Sequence, residues 1–224
     1  MKYLVKLFIV VIALTMATGK LSAQRFGLKG GLNFSNMLVK DDNTTLSDNY
    51  DMKLGYHIGA TVEFSLSKMF SFEAGLLLAT KGYKADYDIL INNISGNVKS
   101  ELNFLYLDIP LTAKAAYDLG GAKIYGVLGP YLGIGLSGHA KTELSDKGVT
   151  ETHEEDIEWG DSRNEVKRLD YGLTIGAGVE INSFDIGISY GLGFANAAND
   201  NDNDNGITAK HRVLCLSVGY KFGK

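Results

Sequence analysis

The run Asp200-Asn201-Asp202-Asn203-Asp204-Asn205-Gly206 has the composition of a calcium loop. A helix-flanked calcium loop needs Gly at its sixth position and a bidentate Glu at its twelfth. Counted from Asp200 those places hold Asn205 and His211; counted from Asn201, Gly206 fits but Arg212 occupies the twelfth. The flanks also read as strands, so the run is expected to be a solvated loop and no metal site is assigned. Acyl-transfer chemistry would need a Ser with a His and a carboxylate in reach. The four histidines are His57 and His211 on extended segments, and His139 and His153 in or beside an acidic stretch. Gly187-Ile188-Ser189-Tyr190-Gly191 matches Gly-x-Ser-x-Gly only in letters, inside an alternating strand and not at a strand-to-helix elbow, and no His-x-x-x-His pair stands out. His57 is expected to pair with Glu63 or Glu73 in an interior. No catalytic residue, no cofactor and no enzymatic activity are expected. The sole cysteine, Cys215, excludes an intrachain disulfide framework.

The elements that carry these residues alternate with period two, the signature of strands with two different faces. The last, from about Thr208, runs Leu214-Cys215-Leu216-Ser217-Val218-Gly219-Tyr220-Lys221-Phe222, with apolar even positions and small or polar odd ones. Seven more segments precede it: Phe26 to Phe34, Leu54 to Phe64, Phe70 to Thr80, Phe104 to Tyr117, Lys123 to Ser137, Val166 to Ile181 and Phe184 to Phe194. Each is long enough for a tilted strand to cross a hydrocarbon layer. Short turns follow alternate segments, at Ser65–Met69, Asp118–Ala122 and Asn182-Ser183. Longer, mostly polar connections lie near residues 35–53, 81–103, 138–165 and 195–207.

This alternation of short and long connections predicts an all-β, eight-stranded, antiparallel, up-and-down transmembrane β-barrel, with periplasmic turns and extracellular loops. The bilayer forces closure, because an open sheet edge has no partner in hydrocarbon. Parity places Lys29, Lys114, Lys221, Glu63, Glu73, Asp108, Asp170, Glu180, Asp185 and His57 inside. Eight strands leave an interior that side chains fill, so a lumen plugged by ion pairs and water is expected. Phe34, Tyr56, Phe70, Tyr83, Tyr117, Tyr125, Phe184, Phe194, Tyr220 and Phe222 are expected to form interfacial girdles. The stretch 138–165 holds nine acids against three Lys or Arg, with the only tryptophan, Trp159. It reads as a soluble acidic loop, or as a recognition surface for a partner or for the divalent ions that bridge lipopolysaccharide.

The N-terminus reads as export. Lys2 and Lys6 precede an apolar core from Leu7 to Ala17, and Ser22-Ala23-Gln24 offers a cleavage site. Residues 1–23 are therefore expected to be a signal peptide and 24–224 a single barrel domain. The leader holds three Lys and no acid, so removing it from 22 basic and 26 acidic residues leaves a net charge of −7. That argues against nucleic acid. No mature segment is apolar for long enough to be a membrane helix.

Three segments carry a resemblance. Tyr106-Leu107-Asp108-Ile109-Pro110-Leu111, followed by Lys114 and Tyr117, resembles a signature of the PorT-like outer-membrane β-barrel family. Gly129-Pro130-Tyr131-Leu132-Gly133 is similar to a second strand of that family. Asp170-Tyr171-Gly172-Leu173 with Gly176-Ala177-Gly178-Val179-Glu180 is similar to a third. The resemblance spans the mature chain and implies an outer-membrane barrel with no family-wide catalytic residues. It also implies, for some members, a part in protein secretion. The expected role is thus structural or surface-interacting in the bacterial outer membrane. A small pore and a secretion accessory are the alternatives. Lipid, lipopolysaccharide and the insertion machinery that reads the terminal strand, with Phe222 as its signal, are the expected partners. A further protein partner is left open, and the state expected is a monomer.

Overall fold

The computed structural model describes residues 24–40, 45, 47, 50–91, 94–146, 149–160, 162, 165–199 and 207–223. The leader 1–23 and the Asp/Asn run 200–206 lie outside them. Ten strands are formed: β1 (Gln24–Lys40), β2 (Tyr50–Asp51), β3 (Lys53–Ser65), β4 (Phe70–Ile91), β5 (Ile94–Asp118), β6 (Lys123–Asp146), β7 (Val149–Asp156), β8 (Leu169–Ile181), β9 (Phe184–Gly193) and β10 (Thr208–Phe222). Eight of them close a ring in the order β4-β3-β1-β10-β9-β8-β6-β5, which returns to β4. All neighbours are antiparallel. β1 and β10 close the ring along a ladder from Phe26↔Phe222 to Lys40↔Thr208.

The pleat sorts the side chains as alternation predicts. Leu28, Ile58, Leu76, Leu128, Ile175, Ile186, Leu216 and Val218 all stand exposed on the outside, while Glu63, Glu73, Lys114, Asp170, Glu180, Asp185 and Lys221 are buried. Only a hydrocarbon surrounding makes that inside-out partition favourable. At the turn end the chain reverses tightly: Asn182 takes a left-handed φ of 54° between β8 and β9, a conformation Asn tolerates.

The opposite end departs from a picture of loops. β4, β5 and β6 run for 22, 25 and 24 residues, about twice what a membrane crossing needs. The connection expected at 81–103 is largely a continuation of the β4–β5 hairpin, paired from Lys81↔Phe104 to Ile91↔Ile94. Within 138–165, β6 continues to Asp146 and returns as β7. β1 likewise extends to Lys40, and β8 begins at Leu169, with Val166 bridging Trp159 and Ala198 instead. Pairing in these polar stretches satisfies backbone groups in water, where hydrophobic alternation is not required to hold a strand. A five-strand extracellular sheet results, in the order β2-β4-β5-β6-β7, with β7 at its outer edge.

Candidate functional site

The lumen is filled in layers. Nearest the turns, Arg25, Lys29, Lys114 and Lys221 meet Glu63, Glu73, Glu180 and Asp185. Arg25 reaches Glu180 at 2.6 Å and Lys29 reaches Glu73 at 3.0 Å. Lys114 lies 3.2 Å from Glu180, and Lys221 lies 3.2 Å from Glu73 and also contacts Glu63. Four cations balance four carboxylates, which is what makes burying so many charges tolerable. Tyr125 donates its hydroxyl to Asp185 at 2.9 Å, and the Lys114 ammonium sits 4.1 Å from the ring centroid. Tyr125 is therefore a lumen residue and not part of a girdle. Its ring needs the missing side chains of Gly178 and Gly187, since a Cβ at either would collide with its hydroxyl.

Above this layer lies a cavity of about 110 Å³, lined by Leu77, Val127, Thr174, Ser189, Val213 and Cys215 among others. It has room for several water molecules. A hydrogen-bonded chain crosses its wall. His57 Nδ1 lies 2.7 Å from Asn33 Oδ1, and His57 Nε2 lies 3.0 Å from Ser217 Oγ. Asn33 Nδ2 donates to the carbonyls of Tyr56 and Thr80 at 3.1 and 3.0 Å, which fixes its oxygen toward the imidazole. The expected partners of His57, Glu63 and Glu73, belong instead to the layer below. Ser, His and Asn in this order share the connectivity of an acyl-transfer relay. The strand around Ser217 is paired on both sides, to Gly31 and to Gly187. Its backbone N–H groups are thus committed to the ladders and do not make an oxyanion hole. The chain acts as a cross-tie between β1, β3 and β10.

The next layer is a triad. Lys81 donates to Asp108 at 2.8 Å and Asp170 at 2.9 Å, Tyr131 donates to Asp170 at 3.1 Å, and the Lys81 ammonium lies 4.7 Å from the ring centroids of both Tyr106 and Tyr131. Over it sits the molecule's apolar core, built from Met37, Val39, Phe104, Tyr106, Ala197 and Ala209. His211 packs there too, edge-on to Phe104 and Tyr106 at 5.7 and 5.3 Å. Trp159 leaves the acidic stretch to fold back into this plug, 5.7 Å from both Phe104 and Tyr106. It is not displayed as a recognition residue. Tyr83, another expected girdle residue, stacks on Tyr50 at 4.4 Å beside the same plug. Tyr56, Phe70, Tyr117, Phe184, Phe194, Tyr220 and Phe222 do stand outside.

Outside the membrane the sheet is stitched by charge. Lys53 and Lys84 both reach Glu101, and Lys141 reaches Glu143 at 2.8 Å. Burial pushes the Glu101 carboxyl up, yet the two ammoniums win and hold it below its usual value. At the free edge, β7 presents Glu151, His153, Glu154, Glu155 and Asp156, all exposed, with His139 of β6 2.5 Å from Asp156. Among the described residues no cluster of His, Cys, Asp and Glu has the arrangement of a metal site, and no helix is long and apolar enough to cross a membrane.

The family model that the chain matches agrees with this architecture. The family described as "Outer membrane protein beta-barrel domain" matches residues 21–199. Ail, the attachment invasion locus protein of Yersinia pestis, is 18% identical over 88% of this chain and 98% of its own, with a TM-score of 0.35. Neisserial surface protein A is 13% identical over 88% of this chain and 97% of its own, with a TM-score of 0.40. The N-terminal β-barrel domain of Pseudomonas aeruginosa OprF is 11% identical over 90% and 98%, with a TM-score of 0.31. No curated protein sequence matches at a significant level.

Proposed function

The chain belongs to the outer membrane protein β-barrel domain family and resides in the bacterial outer membrane, and from that premise we propose that it is a structural barrel whose working surface is its extracellular sheet. One observation carries this reading. The lumen is filled layer upon layer, while β4 to β7 raise a paired sheet clear of the bilayer and end it in an acidic strand whose outer edge has no partner among the described residues. An open strand edge offers main-chain donors and acceptors to an extended partner segment, and the acids of β7 favour a basic one. A monomer suffices for this role.

Deletion of residues 149–156 tests the proposal. The truncated barrel should keep its heat-modifiable mobility on gels, because the ring does not include β7, and should lose cell-surface partners recovered by the full chain. Recovery of the same partners by both forms would refute the assignment to β7. A small-pore role predicts steady conductance in planar bilayers, whereas the filled lumen predicts none. The PorT-like resemblance is carried by residues that fill the lumen, namely Tyr106, Asp108, Lys114, Asp170 and Glu180. On that finer reading the barrel assists secretion, and deletion of the protein would deplete a secreted cargo.

A further inference from the structure

The extracellular closure of the lumen is built from two kinds of residue. Phe104 and Tyr106 stand on β5, Met37 and Val39 on β1, and His211 on β10. These belong to the ring and cannot leave without opening it. Trp159 belongs to no ring strand. It arrives on the segment that follows β7, and its ring lies where a side chain on Gly135 of β6 would otherwise project. Ile157 covers Gly138 in the same way.

Among the described residues, main-chain hydrogen bonds tie that segment down. Ile157 N donates to Gly138 O at 2.9 Å, Val166 N to Glu158 O at 2.8 Å, and Gly160 N to Val166 O at 3.1 Å. Asn199 serves as a clasp from the other side: its side-chain amide donates to the carbonyls of Gly160, Ser162 and Glu165 at 2.8 to 3.0 Å. Beneath the Trp159 ring the polar accounting is incomplete. Trp159 Nε1, His211 Nδ1 and Asp170 Oδ1 are buried and have no hydrogen-bond partner among the described residues. Buried polar groups are normally paired; two of the three atoms lie in the plug and Asp170 Oδ1 lies in the Lys81 layer beneath it. Their hydration on opening offsets part of what is lost when the indole leaves its apolar seat.

We propose that Trp159 is the movable lid of the lumen, clasped by Asn199, and that its withdrawal admits water and small polar solutes to the Lys81 layer and the cavity below. The closed arrangement is the one in the structure. The proposal is independent of the surface role of β7, since the lid and the edge strand are separate parts of the stretch after β6.

Cys215 is a native reporter. It is the only cysteine, it lines the cavity beneath the lid, and it needs no engineering. The full-length protein in phospholipid vesicles is treated with a small cationic methanethiosulfonate, and thiol modification is followed by mass spectrometry. Modification should be slow in the wild type. It should be at least tenfold faster in Trp159→Ala, and faster by a smaller factor in Asn199→Ala, which loosens the clasp and keeps the indole. Heat-modifiable mobility establishes that each variant is folded, and Cys215→Ser sets the background. Two outcomes overturn the proposal: wild-type modification as fast as that of Trp159→Ala, or folded Trp159→Ala and Asn199→Ala both no faster than wild type. Should Trp159→Ala not fold, Asn199→Ala alone decides.

Discussion

Replacing Lys81 by Met removes the one cation that, among the described residues, pairs with Asp108 and Asp170. The ammonium side chain is 3% exposed and its two carboxylate partners are 17% and 2% exposed. Asp108 borders the cavity and can be rehydrated there. Asp170 cannot, and it keeps only the Tyr131 hydroxyl at 3.1 Å. Breaking a buried pair from one side typically costs about 3–5 kcal/mol, because an uncompensated charge is left behind. That is roughly two to three and a half orders of magnitude in the folding equilibrium. With a urea dependence of about 2 kcal/mol per molar, the midpoint should fall by about 1.5–2.5 M. Urea titration in phospholipid vesicles, read by tryptophan fluorescence of Trp159 and by mobility on gels, measures it. The triple variant Lys81→Met, Asp108→Asn, Asp170→Asn should recover most of the loss, since removing a whole buried ion set is often neutral. A midpoint shift below about 0.5 M in Lys81→Met would refute the reasoning. So would a triple variant no more stable than the single one.

Gly178→Ala should displace the Tyr125 hydroxyl and break its bond to Asp185, at a cost of about 1–3 kcal/mol from overpacking; Tyr125→Phe in the same background should cost little more. Ile188→Lys places a charge on the outer face opposite Leu216, near the middle of the wall, and should destabilise the inserted barrel by about 2–4 kcal/mol, measured by the same titration. Glu101 supplies a pH effect. Its depressed value means stabilisation that is present above the unfolded value of about 4.3 and lost as pH falls through the folded one. Pepsin cleavage of the β4–β5 hairpin should therefore rise more steeply below about pH 4 in wild type than in Glu101→Gln, by a modest factor because the pair is partly exposed.

Alternation placed the lumen residues well, because a pleated strand leaves each side chain only two directions and only one of them is compatible with hydrocarbon. Lys29, Glu63, Glu73, Lys114, Glu180 and Lys221 all point inward as parity predicts. Lys81 escaped because the apolar pattern of β4 ends at Thr80, where the strand leaves the membrane and its outward positions no longer need to be apolar. Arg25 escaped for the mirror reason, one residue before the pattern begins at Phe26. Tyr125 shows a conflict between two rules. Its parity matched that of Tyr131, but its ring near a strand end suggested a girdle, and the glycines that seat it inside lie on β8 and β9, far off in sequence. β7 left no signal at all, since Thr and Glu alternate there without an apolar face.

The ladder that joins β1 to β10 has a consequence in time. Phe26 finds Phe222 only when nearly the whole described chain has been delivered, so the strand that seals the wall emerges after the other described strands. Until then both flanks of the growing sheet carry unpaired amides, and no stretch of the hydrocarbon can accept them. The ring therefore stays unsealed until β10 meets β1, and registration of these two strands is the slow, non-local step of assembly. Shortening the polar connections would quicken that step only slightly, because the cost of bringing two ends together grows with the logarithm of the length between them.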